Sequence, residues 1–157
     1  MFKTKRNIVL ALALCTLLLP VAVTAKDQVE RPFKCHGEAK IILDLLSGAW
    51  TKTHSGVATH AGAYSGPGSG VDSIGSGTVT AANGDTVNWV VAMTVLNLDS
   101  ANMTAHIEGT VTCTGGTGQF EGASGSVAIV YDGTMEFIGP TVVKLTLAYR
   151  ATGRITY

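Results

Sequence analysis

The sequence predicts an all-β, antiparallel fold: seven or eight strands joined by short turns and closing into an eight-stranded up-and-down β-barrel. Three observations carry this expectation. Apolar and polar residues alternate with period two along most of the chain, turn signals separate the alternating segments, and no segment has a convincing helical period. Closure is favoured because an open sheet of this length would leave two unpaired edges. The composition agrees, since 19 glycines and only 14% charged residues suit a Gly- and Thr-rich β protein and not a disordered chain.

Taken in order, Phe33, Cys35, Gly37, Ala39, Ile41, Leu43 and Leu45 share one face, against Lys34, His36, Glu38, Lys40 and Asp44. A helix over 38–46 is the rival; period two from Phe33 onward and the Ser47-Gly48 stop favour the strand. Residues 49–64 read as the returning strand and 65–70, Ser-Gly-Pro-Gly-Ser-Gly, as a flexible loop. Residues 74–82 form a short strand, followed by Asn83-Gly84, a hairpin signal of type I′. In the next strand Val87, Trp89, Val91, Met93 and Val95 face one way, until 97–101 turns the chain. Met103, Ala105, Ile107, Val111 and Cys113 then share a face opposite Thr104, His106, Glu108 and Thr110.

A glycine-punctuated corner follows over 112–127. Gly116, Gly118 and Gly122 are expected to let the backbone turn and approach its neighbours, with Phe120, the one large apolar side chain, as the plug. Val127, Ile129 and Tyr131 make a strand, Asp132-Gly133 a turn, and 134–138 a short strand stopped by Gly139-Pro140. The last strand places Val143, Leu145, Leu147, Tyr149, Ala151, Ile155 and Tyr157 on one face.

The first 25 residues have the marks of a cleaved signal peptide: basic Lys3, Lys5 and Arg6, an apolar run from Ile8 to Val23, and small residues before a cut after Ala25. The run is short for a membrane span of about 20 residues. The expectation is a periplasmic or secreted protein whose single domain covers 26–157, with no membrane association after cleavage. Loss of those three basic residues takes the formal charge from zero to about −3, which argues against nucleic acid as a partner. Cys35 and Cys113 then remain as one pair in an oxidising compartment. Both fall on apolar strand faces, and a disulfide between them is expected, with two buried free thiols as the alternative.

Four motifs occur in this order: Ala58-Thr59-His60-Ala61-Gly62, Thr80-Ala81-Ala82-Asn83-Gly84-Asp85, the run Gly115 to Gly125 with Gln119-Phe120-Glu121-Gly122 at its centre, and the ending Gly153-Arg154-Ile155-Thr156-Tyr157. Together they resemble exported bacterial β-barrel proteins of the allene oxide cyclase barrel-like, or calycin-like, type. The resemblance implies an eight-stranded barrel of the kind shared with plant dirigent proteins and allene oxide cyclases; most bacterial members have no assigned activity. Ala61 and Ala63 flank Gly62 where members often carry a bulky and then a basic residue. The polar interior constellation of the plant cyclases has no numbered counterpart here.

Chemistry has few candidates. His60, inside a family-like motif, is the best single catalytic candidate, its alternative being a histidine that anchors a strand end. His54 and His60, six apart on the expected strand, project to one face but lie about 20 Å apart. His36 with Glu38 and His106 with Glu108 each have the spacing of an oriented imidazole, on what reads as the polar outer face. No cofactor or metal site is expected, and the glycine run lacks the lysine and helix of a phosphate loop. If the apolar faces point inward, Trp89, Met93, Tyr131 and Tyr149 either fill the barrel or line a site for one small apolar ligand. Three functions follow: a barrel that binds a small apolar molecule or a protein partner without catalysis, a cyclase- or dirigent-like protein that guides a ligand's cyclisation or isomerisation, or a purely structural, stress-related envelope protein. An inward-facing ionisable residue is the feature that would favour the second. Oligomeric state is not legible.

Overall fold

The structure, a computed structural model, describes residues 28–157; the expected signal segment lies outside them. Eight antiparallel strands close into one barrel in chain order: β1 (Glu30–Asp44), β2 (Ala49–Ala58), β3 (Gly62–Val71), β4 (Ile74–Ala81), β5 (Thr86–Asp99), β6 (Thr104–Gly116), β7 (Ser124–Phe137) and β8 (Val142–Thr156). Closure is made by β1, which pairs with β2 on one side and, from Glu30 to Asp44, with β8 on the other. Among the described residues no edge strand is left to pair with another chain. The core is the barrel interior, with Ile107, Val143, Leu145 and Leu147 among its most deeply buried residues.

Expected and observed strands agree where apolar residues mark the inner face, as in β1, β6 and β8. They differ at five places. The expected strand 49–64 is broken by a turn at 59–61, with β2 ending at Ala58 and β3 starting at Gly62. Residues 65–70 are not a loop but the middle of β3, paired with β2 throughout. The inner row of that wall is glycine because two indoles lie across it: a Cβ on Gly68 or Gly77 would stand 2.5 Å from the Trp89 ring, and one on Gly70 2.5 Å from Trp50. Pro67 points outward, where it takes no space from the indoles.

Asp132-Gly133 is also no turn, because β7 runs unbroken through it with both neighbours paired. Asp132 reaches His106 on the outer face, and Gly133 permits close approach to β8, where a Cβ would stand 2.9 Å from the Leu147 Cα. In β5 a register shift between Met93 and Val95 reverses the face, so Val95 is exposed and Leu98 packs on the core. Residues 97–99 remain in that strand, and the turn that follows ends at Met103, whose φ is +55°. The 81–85 hairpin is not type I′. Only Gly84 has positive φ (89°); Gly84 N donates to Ala81 O, and the Asn83 carboxamide oxygen accepts from Asp85 N at 3.0 Å. This is a three-residue loop closed by a left-handed glycine.

The glycine corner is built as expected. A 3-10 turn, Gly118–Phe120, carries Phe120 to 0% exposure, its ring centroid 5.2 Å from that of Tyr157. Gly118 has φ +60°, and Asp85 occupies the place a side chain there would need. The Asp85 carboxylate accepts from Gln119 N at 3.1 Å, while Gln119 Nε2 donates to the His60 carbonyl at 3.1 Å. Three turns at the terminal end of the barrel are thereby tied together.

The expected disulfide is absent: Cys35 and Cys113 are free thiols. Cys35 lies on β1 and Cys113 on β6, three strand positions apart around the barrel by way of β8 and β7. At about 4.8 Å per strand, they sit well beyond the roughly 4.4–6.8 Å Cα separation a disulfide requires. Both face inward, so shared apolar parity was a sound reading that did not bring them into contact.

Candidate functional site

The interior is divided near mid-height. Lys52 on β2 and Tyr131 on β7 meet across it, Lys52 Nζ donating to the Tyr131 hydroxyl at 3.1 Å, and both residues border the space on either side. Toward the turn that carries Ala61 lies a chamber of about 90 Å³, walled by Phe33, Val87, Val127, Ile129, Ala151 and the Trp89 ring among others. That is room for about six waters, at roughly 15 Å³ each, or for one small ligand. On the far side a pocket of about 30 Å³ lies between Trp50, Met93 and Leu145. The barrel is therefore neither completely filled nor a wide channel.

Lys52 is an inner residue because of strand parity. Trp50 and Ala58, both buried, fix the inner face of β2, and Lys52, His54 and Gly56 share it. Lys52 is only 6% exposed. Its ammonium stands 4.2 Å from the centroid of the Trp89 ring and 5.5 Å from that of Tyr131, a cation–π arrangement with two aromatic faces. Among the described residues no ion pair joins it, and no carboxylate lines the chamber. Burial draws its pKa from 10.5 down to about 8, with the nearby Cys35 sulfur opposing that shift.

His54 sits one inward step along β2, its ring in edge-on contact with Trp89, Tyr64 and Tyr149 at centroid distances of 5.7 to 6.2 Å. Burial, and secondarily the nearby Lys52 charge, hold its pKa near 3, so the ring is neutral. Nδ1 of His54 and Nε1 of Trp89 are buried with no hydrogen-bond partner. Tyr149 donates to the Ser55 carbonyl at 3.3 Å and meets the Tyr64 hydroxyl. Desolvation raises the pKa values of both phenols, Tyr149 to about 12, and raises that of Tyr131 as well. Cys35 completes this side, its thiol pushed upward by burial. The chamber thus carries one titrating cation among groups that stay neutral near pH 7.

Of the residues the sequence singled out for a ligand, Trp89, Tyr131 and Tyr149 converge on the chamber. Met93 does not; it lines the opposite pocket, beside the β5 irregularity. His60 is outside the barrel. It occupies the β2–β3 turn with φ +68°, is exposed, and meets Tyr157 in a tilted ring contact at 5.8 Å, so His54 and His60 do not share a strand face. The His60 carbonyl accepts from Gln119 Nε2 at 3.1 Å, so the backbone at this turn is tied to the glycine corner. His36 and Glu38 are both exposed. His106 lies on the outer face, bridging Asp132 at 2.6 Å and Glu108 at 3.1 Å, contacts that raise its pKa.

Lys52 and His54 are the residues that sequence reasoning missed as a pair in the interior. The available signal was the parity of Trp50 and Ala58, obscured because Gly56 and the glycines of β3 broke the apolar rhythm around them. Among the described residues no cluster of three or more His, Cys, Asp or Glu is arranged to hold a metal ion. No family model, curated protein or solved structure matches the chain.

Proposed function

We propose that this chain is an exported, periplasmic or secreted, binding protein that holds one small, largely apolar molecule in the terminal chamber of its barrel. The observation that carries the reading is the chamber itself: about 90 Å³ of space, apolar along most of its wall, with Lys52, His54 and the Tyr64–Tyr149 hydroxyls grouped at one side. Small-molecule sites have this make-up, an apolar surround with a few polar groups that fix orientation. The resemblance to allene oxide cyclase barrel-like proteins supports the same architecture, and the signal-like residues 1–25 support export.

Inward-facing Lys52 and His54 favour a second reading, in which the barrel guides cyclisation or isomerisation of its ligand. Binding remains first because, of the chamber's polar groups, only the Lys52 amine has a pKa near neutrality. Native mass spectrometry of the mature protein from its own host tests the binding reading. A 1:1 small-molecule adduct, lost in an Ala151→Phe variant that fills the chamber, is the expected result. A ligand-free spectrum, or an adduct that survives the filled chamber, overturns it.

A further inference from the structure

We propose that the molecule held in the terminal chamber is an organic anion, a small apolar carboxylate whose head group pairs with the Lys52 ammonium and whose body lies between Trp89 and Tyr149. The inference rests on the binding reading above and names the ligand class of that same site.

The argument begins with what Lys52 lacks. A buried ammonium is costly unless it is paired and hydrogen-bonded. Lys52 is 6% exposed, yet the bonds around it are one to a neutral phenol and contacts to the faces of two aromatic rings. An ammonium has three N–H donors, and the Tyr131 hydroxyl takes one. A cation–π contact accommodates the charge without neutralising it. Asp72, the carboxylate bordering the opposite pocket, forms no ion pair with Lys52 among the described residues.

The surroundings then select the sign of the ligand. His54 is neutral, the phenols of Tyr64, Tyr131 and Tyr149 are held in their neutral forms, and Cys35 is held toward the thiol. The net charge lining the chamber near pH 7 is therefore the single positive charge of Lys52. A cationic ligand would meet it unscreened, and a neutral one would leave it unpaired. A carboxylate supplies the missing counter-charge, and its second oxygen can accept from another donor. Trp89 Nε1–H, buried without an acceptor, is such a donor on the same indole that Lys52 overlies. The wall beyond is apolar and aromatic, and its limited volume favours an aromatic or short aliphatic body.

Isothermal titration with two probes of nearly equal shape, benzoate and benzyl alcohol, tests this at neutral pH. Benzoate is expected to bind wild type at least tenfold more tightly. Lys52→Met should abolish that preference, with a cooperative thermal unfolding transition reporting that the variant is folded; Lys52→Gln should behave in the same way. If benzyl alcohol binds and benzoate binds no better, or if the preference survives both substitutions, the anion assignment is overturned and the binding reading stands. Binding of neither probe overturns both.

Discussion

Replacing Lys52 by methionine tests whether the barrel really holds a bare ammonium. Methionine keeps an unbranched chain of similar length and removes the charge. In the folded protein, burial takes the lysine pKa from 10.5 to about 8. At about 1.4 kcal/mol per unit, keeping the proton near pH 7 costs the fold about 3 kcal/mol. The sign follows from proton counting. Between about 8 and 10.5 the unfolded chain retains a proton that the folded chain has released, so stability rises with pH across that window. The variant lacks this contribution. It also loses the Tyr131 hydrogen bond and the Trp89 contact, together about 1–3 kcal/mol, so the two proteins differ little near pH 7. The pH dependence of the difference isolates the buried charge. Urea unfolding near pH 7 and near pH 10, with both proteins carrying Cys35→Ser so that thiolate formation does not intrude, should show wild type gaining about 2 to 3 kcal/mol on the variant. A difference that stays constant across that range refutes the claim that Lys52 is buried without a counter-charge.

Other outcomes follow from the frame around the chamber. Gly118→Val forces a β-branched residue into φ +60° and against Asp85, and should lower stability by about 2 kcal/mol or more in thermal unfolding; a variant as stable as wild type would show that the corner is not structural. Alkylation of denatured, unreduced protein spanning residues 26–157 should add two labels, one each at Cys35 and Cys113, because the pair is unbonded; no labelling would restore the disulfide. NMR titration should find His106 with a pKa above 6.5, falling in Asp132→Asn. That raised value means His106 favours the fold below its unfolded pKa, and the contribution fades as pH rises through the folded one.

Much of the barrel is legible in strands whose inner rows are apolar. Ala39, Ile41 and Leu43 in β1, and Val143 to Ala151 in β8, state their facing directly, and Phe120 announces the corner because nothing else large lies among its glycines. Legibility fails where inner positions are not apolar. The β3–β4 wall has glycine there, and in isolation Ser65 to Gly70 reads as a loop. Its reason for being small lies about 20 residues away in each direction, in Trp50 and Trp89, and pairing of both flanks outweighs local turn propensity. Asp132-Gly133 misleads in the same way. In β5 the register shift between Met93 and Val95 turns Val95 outward, and period-two counting carries no warning of it; Met93 itself keeps the inward face and lines the far pocket because it lies further along the strand than Trp89.

The candidate site follows the same logic. Trp89, Tyr131 and Tyr149 are found from alternation, since large inward side chains on β5, β7 and β8 of a closed barrel have to converge. Lys52 and His54 are hidden because a charged and a polar residue beside threonines read as an outer face; only Trp50 and Ala58, two and four positions beyond them, reveal the parity. His60 shows the reverse case. Its motif drew attention, yet the chain turns at Thr59, and the side chain ends outside the barrel.

The most direct test of the central claim is whether the terminal half of the barrel contains open apolar space. Crystals of the barrel, residues 26–157, pressurised with xenon, which enters apolar cavities, answer it by anomalous diffraction. A xenon atom between Trp89, Tyr149 and Ala151, on the terminal side of the Lys52–Tyr131 bridge, is the predicted result. An empty map with the Trp89 and Tyr149 rings packed into that space would contradict it and leave a filled, purely structural barrel.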